Sequence, residues 1–243
     1  KDFFASNDIV YIMRNTLIYN ILFMFLKQFL CVLVAIFLYE ITKKYFLKIY
    51  QTSIILPNFI SWVLVAYIGY ALFSNETGIL NAVLKGLGKE GISWYTESKY
   101  WPFILTLFEM WKGVGMGCII YYAALMGVDE SLFEAAAIDG ANRFQQIIKI
   151  SLPTILPTVC IMMILAVGGI MGGDFGLFFQ LPRNSGALYP VTNVISTYTY
   201  YLFRDGNFSL SAAVGLFQNV VGLVLTLGTN AVVKKINPEN AMY

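Results

Sequence analysis

Five stretches of this chain, residues 16–38, 52–73, 101–126, 153–172 and 211–233, are almost continuously apolar and long enough for a helix to cross a lipid bilayer. A hydrocarbon layer of roughly 30 Å needs about 20 such residues in helical form. Inside lipid each backbone amide and carbonyl must find its partner within its own segment, which leaves the helix as the available structure for isolated runs of this kind. The expectation is an all-α polytopic membrane protein with five spans. Charge supports it: 12% of the 243 residues are charged, about half the ~25% of a soluble domain.

Several functions are excluded early. The formal net charge is +2, and no basic run interleaved with aromatics offers a nucleic-acid footprint. Histidine is absent, so imidazole base catalysis and histidine-ligated metal sites are out. Cys31, Cys118 and Cys160 stand singly in apolar segments and read as small packing residues. The run Gly86-Leu87-Gly88-Lys89 is followed by Glu90, so it fails as a phosphate loop.

Polar groups within spans are costly and mark either pairing or a path. The first span carries Lys27 and Gln28, the third Glu109 and Lys112 one helical turn apart, and the fifth Gln218 and Asn219. Two readings stand side by side. Glu109 can pair with Lys112 while the others bond to neighbouring helices, or the set can line a translocation path with Trp111 and Tyr121 as stacking surfaces. Gly113, Gly115 and Gly117 allow a neighbouring helix to approach closely. Pro57-Asn58 interrupts the second span early. Between spans lie an aromatic, turn-rich loop at 74–100 and another at 173–210, whose segment 191–203 is too short to cross.

The segment 127–152 breaks the pattern because it is polar and alanine-rich. Ser131 and Glu134 have capping-box spacing. Ala135, Ala136 and Ala137 carry the highest helix propensity, and Gly140 suits a left-handed helix end. A second helical stretch runs from Asn142 to Ser151, and Leu152-Pro153 is expected to end it and launch the next span. The basic residues divide evenly between the two sides of the membrane, but the clusters Lys43, Lys44, Lys48 and Lys234, Lys235 fall on the side of this insert. That favours a cytoplasmic insert.

Glu134-Ala135-Ala136, then Asp139-Gly140-Ala141, then Ile150-Ser151-Leu152-Pro153 resembles the cytoplasmic loop of binding-protein-dependent ABC importer permeases of type I. In that family the loop forms a coupling helix that docks on an ATP-binding subunit. The resemblance implies that coupling role for Glu134, Ala135, Ala136, Asp139, Gly140, Ile150, Leu152 and Pro153. Arg14-Asn15-Thr16-Leu17, Trp111 to Gly115, Val194 to Tyr198 and Ala213 to Phe217 are similar to the carbohydrate and oligosaccharide branch. The resemblance thus implies a permease subunit and not an enzyme, in a bacterial cytoplasmic membrane, with a single transmembrane domain over 1–243 and a sixth span expected upstream. Its partners would be a second, non-identical permease, two ATP-binding subunits and an extracellular solute-binding protein. ATP and magnesium would reside on the ATP-binding subunits, and this chain would hold no cofactor or metal. The competing readings are a secondary transporter driven by ions through its intramembrane Lys and Glu, and an integral membrane enzyme.

Overall fold

The computed structural model describes residues 8–236, and among these every regular element is helical. In chain order the elements are α1 (Asp8–Tyr39), α2 (Lys44–Phe59), α3 (Trp62–Phe73), α4 (Ile79–Gly86), α5 (Trp101–Met126), α6 (Glu130–Ile138), α7 (Arg143–Gln146), α8 (Leu152–Gly168), α9 (Tyr189–Thr192), α10 (Ile195–Arg204) and α11 (Phe208–Ile236). Wider turns of π geometry occupy Ile147–Ser151 and Gly176–Gln180. Four helical stretches are long and apolar enough to cross a membrane: Ile9–Tyr39, Ser98–Met126, Arg143–Gly168 and Phe208–Lys235. The pair α2 and α3, bent by 97° at a short break, makes a fifth when taken as one span.

Proline does not act where the sequence suggested. Pro57 lies buried inside α2, which continues to Phe59. The chain breaks afterwards, where Ser61 caps α3 by accepting the Leu64 amide at 3.4 Å. A proline weakens the turn preceding it, but a serine able to satisfy an orphan amide decides where the new helix starts. Pro153 is likewise not a stop, since the helix from Arg143 runs on through the π turn to Gly168. The expected loop at 74–100 contains α4, and buried Asn81 organises it. Its amide group donates to the Asn75 and Ile92 carbonyls and accepts from the Ile92 amide and the Trp94 indole.

The helices group into two compact units. The first takes the chain up to Phe23, Ile60–Glu109 and Gly169–Leu223. Its core joins Ile9, Ile12, Ile195 and Val214. Two polar residues of α1 fasten this unit: Asn15 donates to the Pro190 and Asn193 carbonyls, at 2.9 and 3.1 Å, and the Thr16 hydroxyl accepts the Ile195 amide at 2.9 Å. Both are buried, and together they satisfy carbonyls of α9 and the turn after it and the first amide of α10, a group that would otherwise be orphaned.

The second unit takes Met24–Phe59, Met110–Gly168 and the chain from Val224. Here α5 meets α2 at Gly115, where an added Cβ would lie 1.9 Å from the Ile54 carbonyl oxygen. Cys31 and Cys118 are buried packing residues in this unit, and the Cys31 thiol donates to the Val114 carbonyl.

Candidate functional site

The polar insert forms a double-capped elbow. Asp129 is the N-cap of α6, its carboxylate accepting the Ser131 amide at 2.9 Å. The Ser131–Glu134 capping box expected from spacing therefore does not form. The helix starts earlier than that spacing implied, because Asp129 comes directly after the turn that ends α5 and is a strong cap. Gly140 has φ +79°, and the amides of Gly140 and Ala141 return to the carbonyls of Ala137 and Ala136. This is a left-handed helix end that glycine adopts without steric cost. Directly after it, Asn142 and Gln145 form a reciprocal capping box, each side chain bonded to the other's backbone amide. Phe133 rests on Tyr39 at the end of α1, with ring centroids 5.9 Å apart.

Most of the elbow faces outward. Glu134, Ala135, Asp139 and Gly140 are exposed, Ala136 half-buried. Leu132 is 51%, Ile138 87% and Phe144 69% exposed. Ile150 is half-buried in the π turn, while Leu152 and Pro153 lie exposed just beyond it.

The polar residues within the spans have definite partners. Lys112, half-buried, donates to the Asn58 carbonyl at 2.7 Å. That carbonyl belongs to the last turn of α2, where carbonyls lack helical donors and a cation is favourable. The Tyr121 hydroxyl donates to Oε1 of Gln28, and Tyr121 is fully buried. It therefore offers no open ring face for stacking, whereas Trp111 is 42% exposed. Nε2 of Gln28 is buried without a hydrogen-bond partner among the described residues. Gln218 donates to the Met171 carbonyl at 2.8 Å, but its neighbour Asn219 bonds back to Gly215 of its own helix. Lys27 and Glu109 are half-buried.

A cluster in the first unit escaped sequence reasoning. Arg183 and Asn184 both adopt left-handed backbone, φ 53° and 52°. Oδ1 of Asn184 accepts from the Tyr189 and Tyr201 hydroxyls, and the Ser185 hydroxyl donates to the Tyr95 carbonyl. The Arg183 guanidinium lies 4.2 Å from the Tyr70 ring centroid and 5.9 Å from that of Tyr67. Pro-Arg-Asn-Ser-Gly at 182–186 does signal a turn. Nothing local announced that a helix far away in sequence would bring two tyrosines to the arginine.

Residues 13–238 match the family described as binding-protein-dependent transport system inner membrane component. The chain is 33% identical to Protein LplB of Bacillus subtilis (strain 168), over 98% of this chain and 75% of that protein. It is 31% identical to the polygalacturonan/rhamnogalacturonan transport system permease protein YteP of the same organism, over 97% of this chain and 73% of that protein. A chain in the crystal structure of a bacterial alginate ABC transporter, in complex with alginate pentasaccharide-bound periplasmic protein, superposes with TM-score 0.90 at 31% identity, covering 97% of this chain and 81% of that one. By sequence along nearly its whole described length, and by fold, this chain belongs to the inner-membrane permease components of binding-protein-dependent ABC importers.

Proposed function

We propose that this permease carries oligosaccharides across the bacterial cytoplasmic membrane, driven by ATP hydrolysis on separate subunits that grip the α6–α7 elbow. The observation that carries this reading is the elbow itself. It presents Leu132, Ile138 and Phe144 outward from a helix turn too polar to sit in lipid. Exposed apolar side chains on a rigid, doubly capped support suit insertion into a protein groove. The oligosaccharide class is supported by YteP, named for polygalacturonan and rhamnogalacturonan, and by the transporter crystallised with a pentasaccharide-bound periplasmic protein.

In this reading the assembly comprises a second permease, two ATP-binding subunits holding ATP and magnesium, and a solute-binding protein. Glu134, Asp139 and the small Ala135 and Ala136 form the contact surface. Gly140 sets the angle between α6 and α7, and Ile150, Leu152 and Pro153 pass the movement into α8. Gln28, held by Tyr121, offers its unpaired amide donor to sugar hydroxyls. Trp111 supplies an open ring for a pyranose face; Lys27 and Lys112 in the same unit, and Glu109, Gln218 and Asn219 in the first unit, are the remaining path candidates. Switching between outward- and inward-facing states is a two-state rigid-body change, and a floppy elbow would dissipate it.

The test is isolation of the full-length protein from its native membranes in mild detergent, with identification of whatever accompanies it. An ATP-binding subunit should co-purify and should be lost from Gly140→Trp. A Cβ there would meet no neighbouring atom within 4 Å, but the side chain would have to hold a left-handed backbone, costing about 1–2 kcal/mol. Recovery of the chain alone, with uptake that tracks an ion gradient and ignores ATP, would overturn the proposal in favour of a secondary transporter.

A further inference from the structure

Two cavities flank Arg183, and it is the residue their linings share. One, of about 230 Å³, is walled by Val63, Tyr67, Phe179 and Asn184. The other, of about 550 Å³, is walled by Tyr70, Ser74, Asn75, Thr77 and Tyr95, with Glu76 also in its lining. The larger falls in the size range of small-molecule sites, roughly 300–1,000 Å³. Its lining is hydroxyls, an amide, the Glu76 carboxylate and aromatic rings around one guanidinium.

Three further observations point to a ligand. Arg183 is exposed, and among the described residues no carboxylate pairs with it. Its left-handed backbone is a conformation that a β-substituted residue holds only when its surroundings impose it, and such strain gathers at binding sites. Here those surroundings are the bonds from Asn184 to Tyr189 and Tyr201 and from Ser185 to Tyr95. Finally, the Tyr95 hydroxyl is buried without a hydrogen-bond partner among the described residues. Burial pushes this phenol up to about 12, so at neutral pH it is a proton donor with nothing among the described residues to receive its bond.

We infer that this pair of cavities is a subsite for an acidic saccharide, with Arg183 pairing the carboxylate of a uronate unit. The guanidinium fork matches a carboxylate bidentately and remains charged at every physiological pH. Packing on Tyr70 and Tyr67 restricts that fork before the ligand arrives, so less entropy is lost on binding. Tyr67 and Phe179 offer ring faces to the apolar side of a pyranose, and Ser74, Asn75, Thr77 and Tyr95 offer hydrogen bonds to its hydroxyls. Glu76 opposes the incoming charge and weakens the site for acidic sugars relative to neutral ones. This assignment rests on the reading of the chain as an oligosaccharide permease.

The experiment uses the complete importer in proteoliposomes with its binding protein. Uptake of a panel of uronate oligosaccharides (galacturonate, mannuronate and guluronate tetramers) is compared with uptake of their methyl esters. Acidic tetramers should be carried in preference to the esters. Arg183→Gln should lower the acid-to-ester uptake ratio at least about tenfold, the loss expected for a charge-assisted pair. Arg183→Lys should fall between, and Glu76→Gln should raise the ratio. An equal fall for both sugar forms in Arg183→Gln, with a raised KM for the loaded binding protein, would assign Arg183 to protein docking and overturn the subsite. An unchanged ratio, or transport of neutral sugars alone, would also overturn it. ATP-independent uptake, or no uptake of any saccharide by an importer that still hydrolyses ATP, would remove the oligosaccharide reading beneath it.

Discussion

Asp129 accepts the Ser131 amide at the start of α6, and bonds from that amide and then from the Ser131 side chain hold its carboxyl below the usual carboxylate range. A carboxyl whose value is depressed in the folded state adds stability above its unfolded value, and that stability is lost as pH falls through the lowered folded value. The first turn of α6 should therefore fray only in strongly acidic buffer, below the ordinary carboxylate range. Protection of the 130–132 amides, corrected for the intrinsic exchange rate at each pH, checks this. Asp129→Asn should keep a cap, because the amide oxygen still accepts, while flattening the pH dependence. Protection that still falls with pH in the variant, after that correction, would assign the effect to another group. Spacing alone had pointed to Ser131 as the cap. Both residues are cap formers, and the choice was settled by where α5 ends, a length the local pattern does not encode.

Helix-to-helix contacts divide into those that small residues announce and those that backbone geometry hides. The glycine run in the third span was legible as a close approach, and Gly115 makes it against the Ile54 carbonyl. Gly115→Ala should separate α2 from α5 and cost at least the ~1–3 kcal/mol of an overpacked interior. The checks are the thermal midpoint of the detergent-solubilised chain and the reactivity of Cys31, which packs in the same unit. A midpoint unchanged from the parent would mean that the helices yield at no cost. Less legible were the ends of elements. Pro57 and Pro153 read as breaks but lie within continuous helix, since proline removes one donor and the helix resumes wherever the next donors find carbonyls. The polar residues of the spans were visible, but their partners were not. Lys112 bonds to a carbonyl of α2, and Gln218 to a carbonyl after α8.

At the scale of the whole molecule, membrane class and helix content could be read from the chain, because bilayer thickness and backbone satisfaction leave few alternatives, and the polar insert stood out against the apolar spans. The Arg183 cluster could not, since it depends on α3 lying beside a loop distant in sequence. For the assembled importer, Glu134→Lys should abolish uptake while membrane insertion stays normal, because the residue is exposed on α6 and supports nothing in the spans. Uptake and ATP hydrolysis measured together in vesicles decide it, and normal coupled uptake would remove Glu134 from the contact surface. The π turn at Ile147–Ser151 has a consequence for the length of the chain itself. Buried positions along this span fall at Gln146, Ser151, Ile155 and Ile164, so the inward stripe takes a five-residue step across the turn and a four-residue step after it. Each residue of α-helix turns the chain by about 100°, and a deletion elsewhere in 143–168 would rotate everything beyond it out of phase. Within the wide turn, one residue is surplus. Its removal would restore ordinary helical winding and leave both flanks facing as they do now, which makes these five positions the place where this span can lose a residue and keep its inward stripe.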